Sequence, residues 1–452
     1  MKQNKKDSLV ADVAFVLAEV ERLQQLIRSE GLAALPRTDA FHYLPDPGGK
    51  GLRILCGRAA GERISSLADH AMRAAGIDGQ VERKRAAQHL RSVLSQRFLG
   101  EERAVTITEV ERALAEAGRL AAVTRATRTH FIPCHLLFVQ DPPQFAIGPV
   151  RFMTRATFRS RLVIPLRTSR RELRDYRLVH ELTAYYESFG WVAEVEIPDC
   201  DSGTSQARAQ EAVTRALDCL HLLIGPGHSR KMRIGGPALR RDGRGSFTLS
   251  SEGLGYQISY PSAGNVGFEA GWFTEFENHP DYGMGLRLCG LALEAAVDPG
   301  LKRPLSHRFL DAIHWYGEAV RDSNPAARVV KYMTAIERML MTEGANKDIA
   351  STIADRVAAF CCEAGSRASH DQWRADAQRA YSLRSKLVHG SLSPGSPRIM
   401  EDLGTVARVS QFGLIGALTL LGEPGLTDAK ASSAKLARFY DEFVAGCRRG
   451  LG

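Results

Sequence analysis

The sequence lacks the compact motifs that identify most hydrolytic enzymes. It contains no His-Glu-x-x-His, no Gly-x-Ser-x-Gly, no Cys-x-x-Cys and no tight group of acidic residues with metal-ligand spacing. The eight cysteines are scattered between positions 56 and 447. We therefore expect reduced thiols, no bound metal and no cofactor.

Long apolar runs are also missing from the sequence. No stretch of about 18 consecutive apolar residues is present, which predicts that no helix crosses a membrane. The basic start of the chain is followed by Asp12, Glu19 and Glu21, which a secretory signal would not contain. Together these features favour a cytoplasmic location.

The charge balance is basic without being extreme. Lys and Arg number 60 against 51 Asp and Glu, a net charge of +9. Such a balance mildly favours polyanionic partners, and the 44% hydrophobic content is that of an ordinary globular protein. A chain of 452 residues is too long for one core, so several domains are expected.

The pattern of apolar residues divides the chain into three regions. Residues 1–125 carry helical periodicity at 8–30, 62–75 and 82–98, and Thr108-x-x-Glu111 matches a capping box. Residues 126–300 are predicted to form a mixed or β-rich domain, with one helix at 207–223. The predicted strands of this region are 131–139, 145–152, 191–197, 246–250, 256–260 and 271–276.

Residues 301–452 have helical periodicity throughout. Asn324-Pro325 has the composition of a helix start, with an Asn cap followed by proline in the first turn. Further helices are predicted over 309–320, 349–362, 372–388, 401–421 and 432–447. The predicted fold class is therefore α+β and multidomain, with a helical N-terminal region, a mixed or β-rich middle domain and a C-terminal all-α bundle.

Two basic segments of the middle region could contact phosphate groups. Nine arginines lie between positions 151 and 177, among them Arg159, Arg161, Arg170 and Arg171. A solvated face is the competing interpretation of this stripe. The second segment, residues 225–231, reads Gly-Pro-Gly-His-Ser-Arg-Lys but lacks the Gly-Lys-Ser/Thr ending of a phosphate-binding loop. We interpret it as a turn.

The segment 381–390, Tyr-Ser-Leu-Arg-Ser-Lys-Leu-Val-His-Gly, combines a fixed cation, a possible acid–base group and a helix end. Arg384 can hold a phosphate, and His389 can exchange a proton with a ribose 2′-OH or a leaving 5′-oxygen. At the end of a helix, the dipole favours the protonated form of this histidine. Five helical residues span about 140° and roughly 7.5 Å, so the two side chains do not share one face. Either the helix end at Gly390 redirects the histidine, or two copies of the helix meet across a dimer axis.

Glu337 is a further candidate site residue because of its place on a predicted helix. On a helical wheel it lies at the edge of the apolar stripe of Val330, Met333 and Leu340. A carboxylate in that position requires a partner, and we expect that partner to be Arg384. Pairing with another nearby cation is the alternative.

The segment 381–390 resembles the Arg-x4–6-His signature of HEPN domains, and most closely that of the ApeA-like group. The similarity extends to residues 335–340 and 349–360, and it covers about 305–450 of the chain. The resemblance implies a helical bundle that dimerises and cleaves RNA without a metal ion, in a phage-defence or toxin system. By position, Arg384 and His389 are the catalytic pair, and Glu337, Tyr381 and Ser385 support them. Serine at 385 departs from the Asn, Asp or His that the family often carries there.

This interpretation makes the expected partners RNA and a second copy of the chain. Lys386 and the middle-region arginines would add weak RNA contacts, and residues 126–300 would bind a trigger ligand. A non-catalytic RNA-binding or dimerisation scaffold is the main alternative. A nucleotidyl-transferring toxin is disfavoured, because the sequence contains no matching nucleotide-binding motif.

Overall fold

A computed structural model gives the fold. It describes residues 3–31, 35, 41–48, 51, 53–136, 140–168, 185–187, 189–235, 244–250, 253–259, 269–342, 348–363 and 366–451. Two compact units are formed: the first is residues 1–128 with 197–207, and the second is residues 129–196 with 208–452. The division into three regions remains a prediction from sequence.

The described chain is mostly helical, with a small antiparallel sheet in the middle. The helices are α1 (Gln3–Glu30), α2 (Arg58–Ala75), α3 (Arg83–Leu94), α4 (Ile107–Ala122), α5 (Arg155–Thr168), α6 (Ser202–Ile224), α7 (Pro226–Ser229), α8 (Trp272–Asn278), α9 (Pro280–Val297), α10 (Pro304–Arg321), α11 (Pro325–Leu340), α12 (Ile349–Cys361), α13 (Arg367–Val388), α14 (Arg398–Thr427) and α15 (Ser433–Gly450). The strands are β1 (His42–Pro45), β2 (Arg53–Cys56), β3 (Ala126–His135), β4 (Gln144–Ile147), β5 (Val150–Thr154), β6 (Trp191–Cys200), β7 (Arg233–Ile234), β8 (Arg244–Ser250) and β9 (Gly253–Ser259).

The first unit packs α1 to α4 around one apolar core. The stripe predicted for α1 is buried at Val13, Val16 and Val20, and these side chains join the core residues of α2 to α4. The capping prediction for α4 was wrong by two residues. Thr106, not Thr108, caps the helix by accepting a hydrogen bond from the Glu109 backbone N–H. Thr106-x-x-Glu109 matches the same pattern, and an ion pair from Arg97 to Glu109 at 3.0 Å helps to hold the earlier start.

The second unit contains a five-stranded sheet in the order β4-β5-β6-β3-β7. Strand β5 pairs antiparallel with β6, and Val150 lies opposite Val195. Strands β8 and β9 form a separate antiparallel pair. The predicted strands in these places are confirmed over the described residues, except that 145–152 divides into two strands at a turn containing Gly148. Residues 137–139 and residue 260, at the ends of two predicted strands, lie outside the described residues.

The middle region is mixed, and it is more helical than the sequence predicted. Residues 271–276 were predicted to be a strand, but Trp272–Asn278 is a helix. Its aromatic residues, which have high strand propensity, pack instead around Phe145 of the sheet. Helix α9 was not predicted; it packs so closely on the sheet that a Cβ at Gly148 would lie 2.3 Å from the Gly290 carbonyl oxygen.

Helices α10 to α15 follow as a bundle. The predicted start of α11 is confirmed, because the Asn324 side chain accepts hydrogen bonds from the backbone of Ala326 and Ala327. Helix α14 lies at the centre and packs on α9, α10, α11, α12 and α13.

Helix α14 also has the length and composition of a membrane span. The sequence was expected to contain no such helix. Its most apolar 18-residue window has a mean hydropathy of 1.3, and half of that window is buried. A helix that packs on five others has the surroundings of a bundle core. We therefore attribute its apolar character to packing within the bundle.

Candidate active site

The candidate site begins at the end of α13. The helix remains regular to Val388, and the His389 backbone N–H donates to the Ser385 carbonyl oxygen at 3.0 Å. Gly390 follows with φ +72, the left-handed conformation that terminates many helices. The helix end therefore does not unwind around His389. On a regular helix, the side chains of Arg384 and His389 diverge by about 140°.

Arg384 is held by the carboxylate predicted to orient it. Its Nη2 donates to Glu337 Oε2 at 3.0 Å, and each side chain is 21% exposed. Tyr381 lies one turn earlier on α13, and its ring centroid lies 5.7 Å from the Arg384 guanidinium carbon. The ion pair between Arg384 and Glu337 thus joins α13 to α11.

Burial dominates the electrostatics of this cluster. It raises the pKa of Glu337 above its usual range, while the nearby Arg384 charge and the Tyr381 hydroxyl act in the opposite direction. Burial likewise raises the pKa of Tyr381, and the charge of Glu337 adds to that effect. The Arg384 Nε is buried and has no hydrogen-bond partner within the described residues. A ligand would therefore reach the guanidinium through its Nη atoms.

Two further arginines fix the turn of α11 that carries Glu337. The Arg308 Nε donates to the Met339 carbonyl oxygen at 3.1 Å, and Arg356 donates to that of Leu340. These bonds satisfy carbonyl groups that a helix end leaves unpaired. Neither arginine was predicted from the sequence to be a site residue. The available signal was Arg356, a cation within the apolar helix α12, where it is only 3% exposed.

His389 differs from Arg384 in its surroundings. It is exposed, and its imidazole has no hydrogen-bond partner in the part of the chain that the structure describes. Lys386 is also exposed, and Ser385 is half-buried. The end of α13 therefore presents a free imidazole and an ammonium group to solvent, one turn beyond a guanidinium that is already paired.

The middle-region arginines give weaker support to RNA binding. Arg159 lies 3.3 Å from a carboxylate oxygen of Glu187, and Arg161 is ion-paired with Glu194. Their charges are therefore partly neutralised within the chain. Arg170 and Arg171 lie outside the described residues.

The described residues contain no group of three His, Cys, Asp or Glu side chains arranged to hold a metal ion. The chemistry that this cluster itself can supply is phosphate binding by Arg384 and proton transfer by His389. Scans against protein-family models, curated proteins and solved structures returned no match for the chain.

Proposed function

We propose that helices α10 to α15 form an endoribonuclease domain of the HEPN type. The domain would act as a homodimer in the cytoplasm, within a phage-defence or toxin-like system, and residues 126–300 would bind its trigger. The observation that carries the proposal is the end of α13, where Arg384 is oriented by Glu337 and His389 is free in solvent.

The proposed reaction is an attack of a ribose 2′-oxygen on the adjacent phosphorus. A bond from the 2′-oxygen to phosphorus forms, and the bond from phosphorus to the 5′-oxygen breaks. A neutral imidazole can accept the 2′-OH proton, and a protonated one can deliver a proton to the leaving 5′-oxygen. The Arg384 guanidinium would stabilise the charge that grows on the phosphate oxygens. The reaction requires no metal ion.

The divergence of Arg384 and His389 favours a site shared between two protomers. Within one chain the two side chains leave a regular helix in different directions, and α11 holds Arg384 on its own side. A cleft between two protomers could place Arg384 of one chain opposite His389 of the other. A single protomer would then lack a complete site and would be inactive.

Cleavage should be tested with purified protein, RNA and excess chelator. We expect His389→Ala to abolish cleavage without changing the thermal midpoint, because the side chain is exposed and unbonded. His307, an exposed histidine on α10, provides the matched control His307→Ala. Cleavage retained by His389→Ala, or lost when the metal is chelated, would refute the mechanism.

Mixing two inactive variants tests the shared cleft. When Arg384→Ala and His389→Ala exchange subunits, half of the dimers are mixed, and each has one complete site of two. About a quarter of wild-type activity should return. No recovery, despite proven subunit exchange, would mean that the pair does not act across protomers.

One observation favours a second function, a non-catalytic RNA-binding or dimerisation scaffold. Arg384 is already paired with Glu337, as a purely structural arginine would be. A scaffold would bind RNA without cutting it. Cells that express the wild type and cells that express His389→Ala would then grow equally, whereas an active nuclease should be toxic only with its histidine.

A further inference from the structure

A cavity of about 410 Å³ lies in the second unit, bordered by α7 and the residue after it, the start of α11 and the first half of α14. Its cationic residues are Arg230, Arg328 and Arg408. We call it the arginine cavity. The segment 225–231 was predicted to be a turn, but only Gly225 separates α6 from α7, and Pro226 and Gly227 are the first residues of that four-residue helix. Arg230 and Lys231 form a turn after it.

Two of the three guanidinium groups have no carboxylate partner among the described residues. Arg230 donates through Nη2 to the backbone carbonyl oxygen of Asp322 at 3.2 Å. Arg328 donates through Nη2 to the Tyr332 hydroxyl at 3.4 Å. Both acceptors are neutral, so these two arginines keep their positive charge at the cavity.

The surrounding charges do not cancel this excess. Arg408 is ion-paired with Asp376. The charge of Arg328 helps to lower the pKa of Asp322, and that carboxylate already accepts a hydrogen bond from Lys331 at 2.7 Å. Lys331 also lies 3.6 Å from a carboxylate oxygen of Glu318, which Arg321 holds as well. Arg230 and Arg328 therefore have no carboxylate of their own among the described residues.

Arg328 has capacity for a further hydrogen bond. Among the described residues it donates only through Nη2, so Nη1 remains for a ligand, whereas its Nε is buried and, like that of Arg384, out of a ligand's reach. Burial raises the pKa of Tyr332, and the positive charges of Arg328 and Arg230 act against that rise. Both guanidinium groups thus lie close to one tyrosine, and an anion between them would meet two cations at once.

Helix α14 supplies an apolar part of the cavity lining, and the same helix carries Arg408 and Gln411. The apolar part consists of Met400, Leu403 and Ala407. Met400 is 62% exposed, which is unusual for a large apolar side chain in a core helix. A ligand that matches both the cationic and the apolar parts of the lining carries anionic oxygens at one end and a flat apolar group at the other.

We propose that the arginine cavity binds a nucleoside phosphate. The phosphate would lie between Arg230 and Arg328, with Arg408 at its side, and the base would lie on Met400 and Leu403. A volume of about 410 Å³ lies within the range of small-ligand sites and accommodates one nucleotide. Recognition differs from that of a phosphate-binding loop, because side-chain guanidinium groups replace the backbone amides. The proposal does not depend on ribonuclease activity.

The glycine at position 404 allows the cavity to be filled without removing a charge. It borders the cavity on α14, and a Cβ built there meets no atom within 4 Å. Gly404→Leu should therefore place a side chain into open space while α14 remains intact. Gly404→Ala provides the matched control, since alanine adds only a methyl group and favours the helix.

Binding should be measured by titration calorimetry on the full chain with AMP, ATP, GMP, GTP and inorganic phosphate. We expect one saturable site for at least one nucleotide. Arg328→Met should weaken that binding at least about tenfold, and Gly404→Leu should abolish it. Gly404→Ala and Arg287→Met, which removes an exposed charge on α9, should bind like the wild type. Thermal unfolding of each variant checks that the chain is folded.

Four results would overturn the proposal. The first is no saturable binding of any of these nucleotides at about 1 mM. The second is equal affinity in the wild type and in folded Arg328→Met. The third is inorganic phosphate binding as tightly as the best nucleotide, which would remove the role of the base. The fourth is single-stranded RNA binding at the cavity when no mononucleotide does.

Discussion

Replacing Arg384 with alanine should destabilise the chain in a way that depends on pH. The substitution removes the cation that faces Glu337 and leaves the carboxylate at 21% exposure without its charge partner. Breaking a fully buried ion pair costs about 3–5 kcal/mol, and an exposed pair contributes about 0–1 kcal/mol. With both side chains about one-fifth exposed, we expect a loss of about 2 kcal/mol at pH 7.5.

The direction of the pH effect follows from the pKa of Glu337. In the folded chain burial already raises this pKa above the ordinary value of 4.5. The folded state therefore holds more protons than the unfolded state just above pH 4.5, and the contribution of Glu337 to stability falls as the pH rises through its folded pKa. Without Arg384 the folded pKa rises further, so this fall becomes larger. The loss at pH 5 should be about half of that at pH 7.5.

Thermal unfolding followed by circular dichroism at pH 5.0 and pH 7.5 measures both quantities. For the second unit, which contains 313 residues, about 2 kcal/mol corresponds to a midpoint lower by roughly 3 °C. The double variant Glu337→Gln/Arg384→Ala is the control, because glutamine cannot titrate and the extra pH dependence should disappear. An Arg384→Ala shift that is equal at the two pH values, or larger at pH 5.0, would refute this account of the pair.

Three other outcomes follow from the structure. The Cys362 and Cys447 sulfur atoms lie 3.4 Å apart, so a mild oxidant should join them, with a mass loss of about 2 Da and a stabilisation of up to about 4 kcal/mol. Burial raises the pKa of Cys362 to about 11, so the reaction should accelerate towards pH 9, and Cys447→Ser should prevent it. Gly390→Ala should cost about 1 kcal/mol in urea unfolding, because its φ of +72 strains any side chain. Asn324→Ala should cost about 1 kcal/mol in the same assay through the lost helix cap, and an unchanged midpoint would contradict that role.

Sequence predicted best those features that neighbouring residues determine. The Asn324 cap, the Gly390 helix end and the stripe of α1 depend on local geometry and on apolar periodicity. The strand predicted over residues 271–276 was wrong, because tertiary packing overrides the strand propensity of the aromatic residues there. At α4, two overlapping capping patterns fit the sequence, and an ion pair from a distant arginine favours one of them.

The two sites also differ in how far the sequence alone could predict them. The contact between Glu337 and Arg384 was predictable, because a carboxylate on an apolar face requires a partner and the chain offers an arginine on a neighbouring helix. The arginine cavity was not predictable. Arg230, Arg328 and Arg408 are separated by about eighty to one hundred residues, and only the packing of three helices brings them together.

The central position of α14 has a consequence for synthesis on the ribosome. Helices α9 to α13 leave the exit tunnel first, and each has an apolar face that packs on α14 in the folded chain. Until residues 398–427 emerge, these faces have no partner, and α14 itself is apolar enough to resemble a membrane segment. The bundle can therefore close only late in translation. Nascent chains that stall before residue 398 should bind holdase chaperones more strongly than released chains.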